Sequence, residues 1–241
     1  MPRPSVSPDD SISTPRRDFL ARVATAAAVV AGSACAAPLA AAAMSGDAGR
    51  TPRQSPDFDD AWTARVRAAA HRAVFDSPEI GDGLALGQAT VFMNNYHDMF
   101  GTSDAETVPV IVMRHQGTLL AVGDALWAKY ELGKRTKLTD PTTGAVATRN
   151  PFVQVARDDA HALIEPESTL PALRARGAVL LVCNRALTHF ASQQARERKL
   201  NVDEVTAEFR AGLVPGMILQ PSGIYAVVRA QEMGCGMVRS T

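Results

Sequence analysis

An excess of charge of either sign is missing from this 241-residue chain, in which 25 Lys and Arg face 25 Asp and Glu. It has no basic block either, which argues against nucleic acid or an anionic membrane as a main partner. Cysteine is scarce, at three residues, so no disulfide framework is expected, and a chain long enough to bury a full core needs none. Cys-x-x-Cys, His-Glu-x-x-His, a Cys-x-x-Cys-His haem site and an acidic calcium loop are all absent. Neither a metal or haem centre nor a cofactor is therefore expected. The lack of a Gly-x-Ser-x-Gly elbow and of a dinucleotide fingerprint leaves a hydrolase or redox enzyme without support. Gly81-x-Gly83 is too short a signal for a phosphate cradle and is read as a turn.

What is present begins with Thr14-Pro15-Arg16-Arg17-Asp18-Phe19-Leu20, followed by an alanine-rich apolar stretch that ends at Ala41-Ala42-Ala43. Arg16 and Arg17 mark a twin-arginine export leader over residues 1–43, which addresses the protein to the periplasm or beyond and touches the membrane only in transit. The structural alternative is a retained anchor, since the apolar stretch has the length of a membrane span. A second is lipidation at Cys35 after Gly32-Ser33-Ala34. Removing the leader takes the formal charge to about minus one. Residues 44–60, rich in Gly, Pro, Ser and Asp, read as a flexible tether, and 61–241 as one compact domain.

Within that domain strands and helices alternate. Apolar, β-branched runs predict strands at 71–76, 108–113, 178–183, 216–220 and 237–239. Helical spacing predicts helices at 60–70, 84–99, 119–132, 169–176, 184–199, 203–212 and 224–233, with Asn184 and Asp203 as caps. Trp127 and Tyr130 on the 119–132 helix are assigned to packing or an oligomer contact. The Thr-, Pro- and Gly-rich stretch 133–151 exceeds an ordinary connection and is a candidate flap or partner-contact loop. This alternation implies right-handed βαβ units, hence an α/β three-layer sandwich with a parallel, flavodoxin-like sheet of about five strands.

Leu181-Val182-Cys183-Asn184, the helix after it, Val214-Pro215, Pro221-Ser222-Gly223-Ile224 and Gln231-Glu232-Met233-Gly234 together resemble the DsrE/DsrF-like family. So do the strand ending in His115-x-Gly117 and the opening strand at Val74-Phe75. The resemblance spans residues 71–240. It implies a domain that assembles into trimers, hexamers or other homo-oligomers, and, for some members, a sulfur relay in which a cysteine directly after the central strand carries a persulfide. Cys183 is similar in placement. The chain departs from the relay members in its leader, in the 133–151 insertion and in lacking Arg-Arg-Gly after the cysteine.

The residues argue for the same site independently. In an open parallel sheet, ligands bind where strands end at the carboxyl edge, and a thiol there meets the unpaired N–H groups of the next helix. Cys183 is the candidate thiol; the alternative is a small hydrophobe that completes a buried strand. His115 and Arg114 are the candidate stabilisers of a thiolate or anionic sulfur ligand, or else strand-end and surface residues. Asp76, Asn184, Ser222 and Gly223 are candidate ligand-binding residues on the same edge. His189, Arg185 and Gln193 on the following helix either approach the site or form a solvated face. Cys235 precedes the last strand and should lie at the opposite edge, out of disulfide reach of Cys183. The expected function is that of an exported carrier of reduced sulfur with an unknown donor and acceptor, sulfurtransferase-like if an enzyme at all. The alternative is a non-catalytic oligomeric binding or assembly module in which Cys183 is buried and structural.

Overall fold

The computed structural model describes residues 58–241; the leader with Arg16, Arg17 and Cys35, and most of the tether, lie outside the described residues. Five strands form one sheet: β1 (His71–Ser77), β2 (Thr107–Met113), β3 (Val179–Cys183), β4 (Ile218–Gln220) and β5 (Gly236–Arg239). Every pairing is parallel and the order is β4-β3-β2-β1-β5. The fold is α/β, a parallel five-stranded sheet between helix layers, flavodoxin-like in outline.

The strands are buried on both faces, and their pleat divides each one between two cores. Val108, Val110 and Val112 of β2 join Val179 and Leu181 of β3 on one face. Ile111, Met113, Leu180 and Val182 point to the other. The first face is covered by α1 (Trp62–Ala68) and α8 (Gly223–Glu232), through Trp62, Val66, Ala226 and Ala230. On the other face lie α2 (Leu84–Phe100), α3 (Asp124–Lys129), α4 (Leu132–Thr136), α5 (Leu170–Ala175), α6 (Asn184–Arg198) and α7 (Val202–Ala211).

From β1 to β4 the chain steps along the sheet in one direction with its helices on one face. It then reverses, and β5 joins the far side of β1. A right-handed crossover running the opposite way must place its helix on the opposite face, which is why α8 packs across β1 to β4 from the other side, beside α1. Adjacent β3 and β4 therefore feed helices on opposite faces, and a crevice opens between their carboxyl ends.

The expected helix over 119–132 is corrected. A 3₁₀ segment, His115–Ala121, is followed by extended Val122 and Gly123, and then by the separate helices α3 and α4. Distant backbone draws the chain straight here: Val214 N–H donates to Ala121, Gly123 N–H donates to Gly212, and Val122 bridges Leu213. Trp127 and Tyr130 are buried in the core, which settles them as packing residues.

Residues 133–151 are likewise not a free flap. Thr139 and Val146 form an antiparallel bridge. The Asp140 carboxylate accepts from the Thr142 and Thr143 N–H groups and, at 2.6 Å, from Arg149 Nε. The Arg149 bond, ahead of the two N–H bonds and against the opposing effect of burial, lowers the Asp140 carboxyl to about 2. Asn150 is buried; its amide donates to the Leu120 and Val122 carbonyls, and its Oδ1 accepts from Phe152 N–H. These bonds satisfy the two carbonyls where the expected helix breaks.

Two caps are also corrected. The α6 cap is Cys183, whose Sγ accepts from Ala186 N–H, and not Asn184. The α7 cap is Asn201, which accepts from the Asp203 and Glu204 N–H groups, so Asp203 is the capped residue. With Asn184 and Asp203 as caps the first helical residues would be 185 and 204; they are Asn184 and Val202, so the capping sulfur or oxygen comes from an earlier side chain.

Asn150→Ala is expected to lower the stability of the domain by about 2–4 kcal/mol, since it strands buried carbonyls and an N–H without partners. Urea denaturation checks this, with limited proteolysis locating new cuts within 133–151.

Candidate functional site

The carboxyl edge of the sheet gathers the chemistry-bearing residues. Asp76 is the penultimate residue of β1, Arg114 follows β2, Cys183 ends β3, and Ser222-Gly223 follow β4. Parallel pairing brings these ends together even though they are far apart in sequence.

Arg114 and Asp76 form a two-pronged ion pair: Nε donates to Oδ1 at 2.6 Å and Nη2 to Oδ2 at 2.7 Å. The Asp76 side chain is only 5% exposed and that of Arg114 23%. The hydrogen bonds to Asp76 raise the Arg114 guanidinium above its ordinary value, with a smaller contribution from Cys183 charge and against the opposing effect of burial. Asp76 therefore orients Arg114 and does not line the cavity, in contrast to its expected role as a ligand contact.

The stem of Arg114 lies on Gly223, the first residue of α8. A Cβ there would meet Arg114 Cβ at 2.4 Å, so the absence of a side chain at 223 lets the guanidinium reach the site. Gly117 serves the adjoining turn in the same way, since a Cβ would stand 2.2 Å from the Ser77 carbonyl oxygen. Arg114 N–H donates to Ser77 and Gly117 N–H to Pro78, holding the turn against the end of β1. Between them His115 takes a left-handed backbone, with φ at +46°. That conformation is costly for a residue with a Cβ, and it sets the imidazole on the rim of the site.

A cavity of about 710 Å³ occupies the crevice. Cys183, which is 6% exposed, Arg114, Ser222 and Gly223 line it, as do His115 and Gln116 from the 3₁₀ turn. Arg185, His189 and Gln193 form a stripe at helical spacing along α6 on its wall. Asn184 is not among the lining residues; its Oδ1 accepts from Arg210 Nε at 3.1 Å. Ser222 caps α8 by accepting from Tyr225 N–H, which leaves the first N–H groups of that helix, near the cavity, without intrahelical acceptors. Among the described residues, no Asp or Glu lines the cavity.

Sequence reasoning missed Gln116, Leu119, Arg135, Thr136, Ala186, Phe190 and Ile224 in the lining. The apolar members Leu119, Phe190 and Ile224 carried the available signal, Ile224 beside the start of α8, Phe190 farther along α6 and Leu119 in the turn after β2. Arg135 arrives through the fold of the insertion: its Nη2 donates to Gln193 Oε1 at 2.7 Å and its guanidinium lies 5.4 Å from the Phe190 ring centroid. A second cavity, of about 940 Å³, lies between α2 and residues 156–168, and no cysteine or histidine among the described residues lines it. Among the described residues no cluster of three His, Cys, Asp or Glu is placed to hold a metal ion.

Cys235 stands just before β5, at the amino edge, with β2 and β1 between β3 and β5. Three strand spacings, about 14 Å, and opposite edges separate it from Cys183, and both cysteines are free. Burial, partly offset by Arg72, pushes the Cys235 thiol up to about 11.

No family model matches this chain, and no curated protein matches it. Among solved structures, a protein of unknown function from Methanobacterium thermoautotrophicum is similar at 15% identity, with a TM-score of 0.33, over 70% of this chain and 98% of that one.

Two outcomes are expected. At pH 8 only about one Cys235 in a thousand is thiolate, so iodoacetamide should leave it unmodified in native protein, as peptide mass mapping would read. Gly223→Ala should displace Arg114 at a cost of about 1–3 kcal/mol. It should also lower the rate of Cys183 alkylation by anionic iodoacetate relative to neutral iodoacetamide.

Proposed function

We propose that this chain is an exported DsrE-like protein that binds or carries reduced sulfur, with Cys183 as the persulfide-forming thiol. The observation that carries the reading is a cysteine at a helix N-terminus, in a cavity at the carboxyl edge whose charged walls are all cationic. Sulfane sulfur species are anionic near neutral pH, and such walls favour them.

In the proposed step the Cys183 thiolate attacks the outer sulfur of a donor persulfide, R–S–SH. A sulfur–sulfur bond forms at Cys183, the donor's own sulfur–sulfur bond breaks, and R–S⁻ leaves with the electron pair. The outer sulfur keeps its proton and nothing is oxidised or reduced overall. An acceptor thiolate removes the outer sulfur by the same exchange. Arg114, held by Asp76, stabilises the charge on the attacking and attached sulfur, and His115 stands at the rim. The protein works in the periplasm or beyond as a homo-oligomer, trimeric or hexameric as the family resemblance implies, without a cofactor.

The small exposure of Cys183 favours a second reading, an assembly or binding module in which this thiol is structural. Intact mass spectrometry before and after incubation with polysulfide, whose sulfane sulfur passes to a thiolate without an added oxidant, separates the two, with sulfide alone as the negative control. The carrier reading expects a sulfur-sized adduct on Cys183 that reductant removes and that Cys183→Ser abolishes. An unmodified Cys183 that resists alkylation until the protein unfolds would overturn it in favour of the module.

A further inference from the structure

The size of the cavity calls for more than a sulfur atom. A transferred sulfur needs about the space of a water molecule, roughly 30 Å³, whereas the crevice encloses about 710 Å³, within the usual range of small-organic-molecule sites. Its walls are of three kinds. Leu119, Phe190 and Ile224 offer apolar surface. Gln116, Thr136 and Gln193 offer amide and hydroxyl groups suited to peptide units. Arg114, Arg135 and Arg185 offer planar forks suited to carboxylates.

The guanidiniums are not equally occupied. Arg114 spends two donors on Asp76. Arg135 has Glu197 at 3.6 Å, an exposed pair of little strength that lies off the cavity wall. Arg185 makes no ion pair among the described residues. Arg135 and Thr136 both belong to α4, at the head of the insertion by which this chain departs from the sulfur-relay pattern. The insertion thus closes one side of the crevice and brings a cation with it.

We propose that the cavity binds a low-molecular-weight, peptide-like thiol bearing carboxylates, with Arg135 and Arg185 as its carboxylate contacts and the apolar residues against its carbon skeleton. On the sulfur-carrier reading, this thiol is the R group of the donor persulfide, and it leaves the cavity as the free thiolate once Cys183 holds the sulfur.

Binding is tested apart from transfer. S-Methylglutathione, which cannot exchange sulfur, and its diethyl ester, which lacks both carboxylates, are titrated calorimetrically into full-length Cys183→Ser protein. The acid should bind at least about tenfold more tightly than the ester, and the added pair Arg135→Gln and Arg185→Gln should weaken it by about tenfold or more. Both arginines are exposed, so these changes should leave the fold intact, as circular dichroism would verify. Equal binding of acid and ester, binding indifferent to the arginines, or no binding of the acid would overturn the proposal.

The transfer arm uses wild-type protein with glutathione persulfide or inorganic polysulfide. Faster loading of Cys183 from glutathione persulfide, lost in the double arginine variant, supports both readings. Loading at equal rates from both donors, unaffected by the arginine changes, overturns the organic carrier and leaves the sulfur reading standing. Binding of the acid with no loading from either donor overturns the sulfur reading and leaves the binding site standing.

Discussion

A crossover between parallel strands closes right-handedly, and in a sheet ordered β4-β3-β2-β1-β5 this constraint sends α8 to the face opposite α6. Much else follows from that divergence. Had the chain continued past β4 in the same direction, the next helix would have packed beside α6 and closed the carboxyl edge between β3 and β4. Because it reverses, the starts of α6 and α8 splay apart, and Cys183 and Ser222 face each other across open space. The same reversal places β5 beyond β1, which carries Cys235 to the far edge and isolates the two thiols chemically.

Within the crevice the Asp76–Arg114 pair sets the electrostatics. A carboxylate buried as deeply as Asp76 is costly unless its charge is met, and a bidentate guanidinium meets it with two short bonds. The pair nearly cancels in net charge, yet it fixes where the positive end lies: Asp76 faces the sheet, and Arg114 faces the cavity. Gly223 and Gly117 belong to this arrangement although neither carries a functional group. One leaves room for the arginine stem, and the other lets the His115 turn press against the β1 carbonyls. The site thus depends on two missing side chains as well as on those present.

The strands were legible because a strand buried on both faces must be continuously apolar, and Val108–Met113 and Val179–Cys183 are. Their carboxyl ends then named Cys183, Arg114, His115, Ser222 and Gly223 as neighbours, and all five line one cavity. The break near Val122 was not legible, because residues 119–132 have helical spacing and the partners that interrupt it, Gly212, Leu213, Val214 and Asn150, lie far away in the chain. The closed form of 133–151 was hidden for the same reason: its Thr-, Pro- and Gly-rich composition reads as a flap or partner-contact loop, but Asp140 and Asn150 spend their polar groups internally.

The sequence by itself determined the alternation of strands and helices, the parallel sheet and the edge on which the thiol stands, since local periodicity and the handedness of βαβ units act over tens of residues. Tertiary structure alone decided that Asp76 holds Arg114 instead of a ligand, that Asn184 turns to Arg210, and that Arg135 reaches the cavity from the insertion. These are matters of side-chain direction and charge pairing between segments distant in the chain. No local propensity encodes them, because the partner that determines each one arrives only when the sheet has formed.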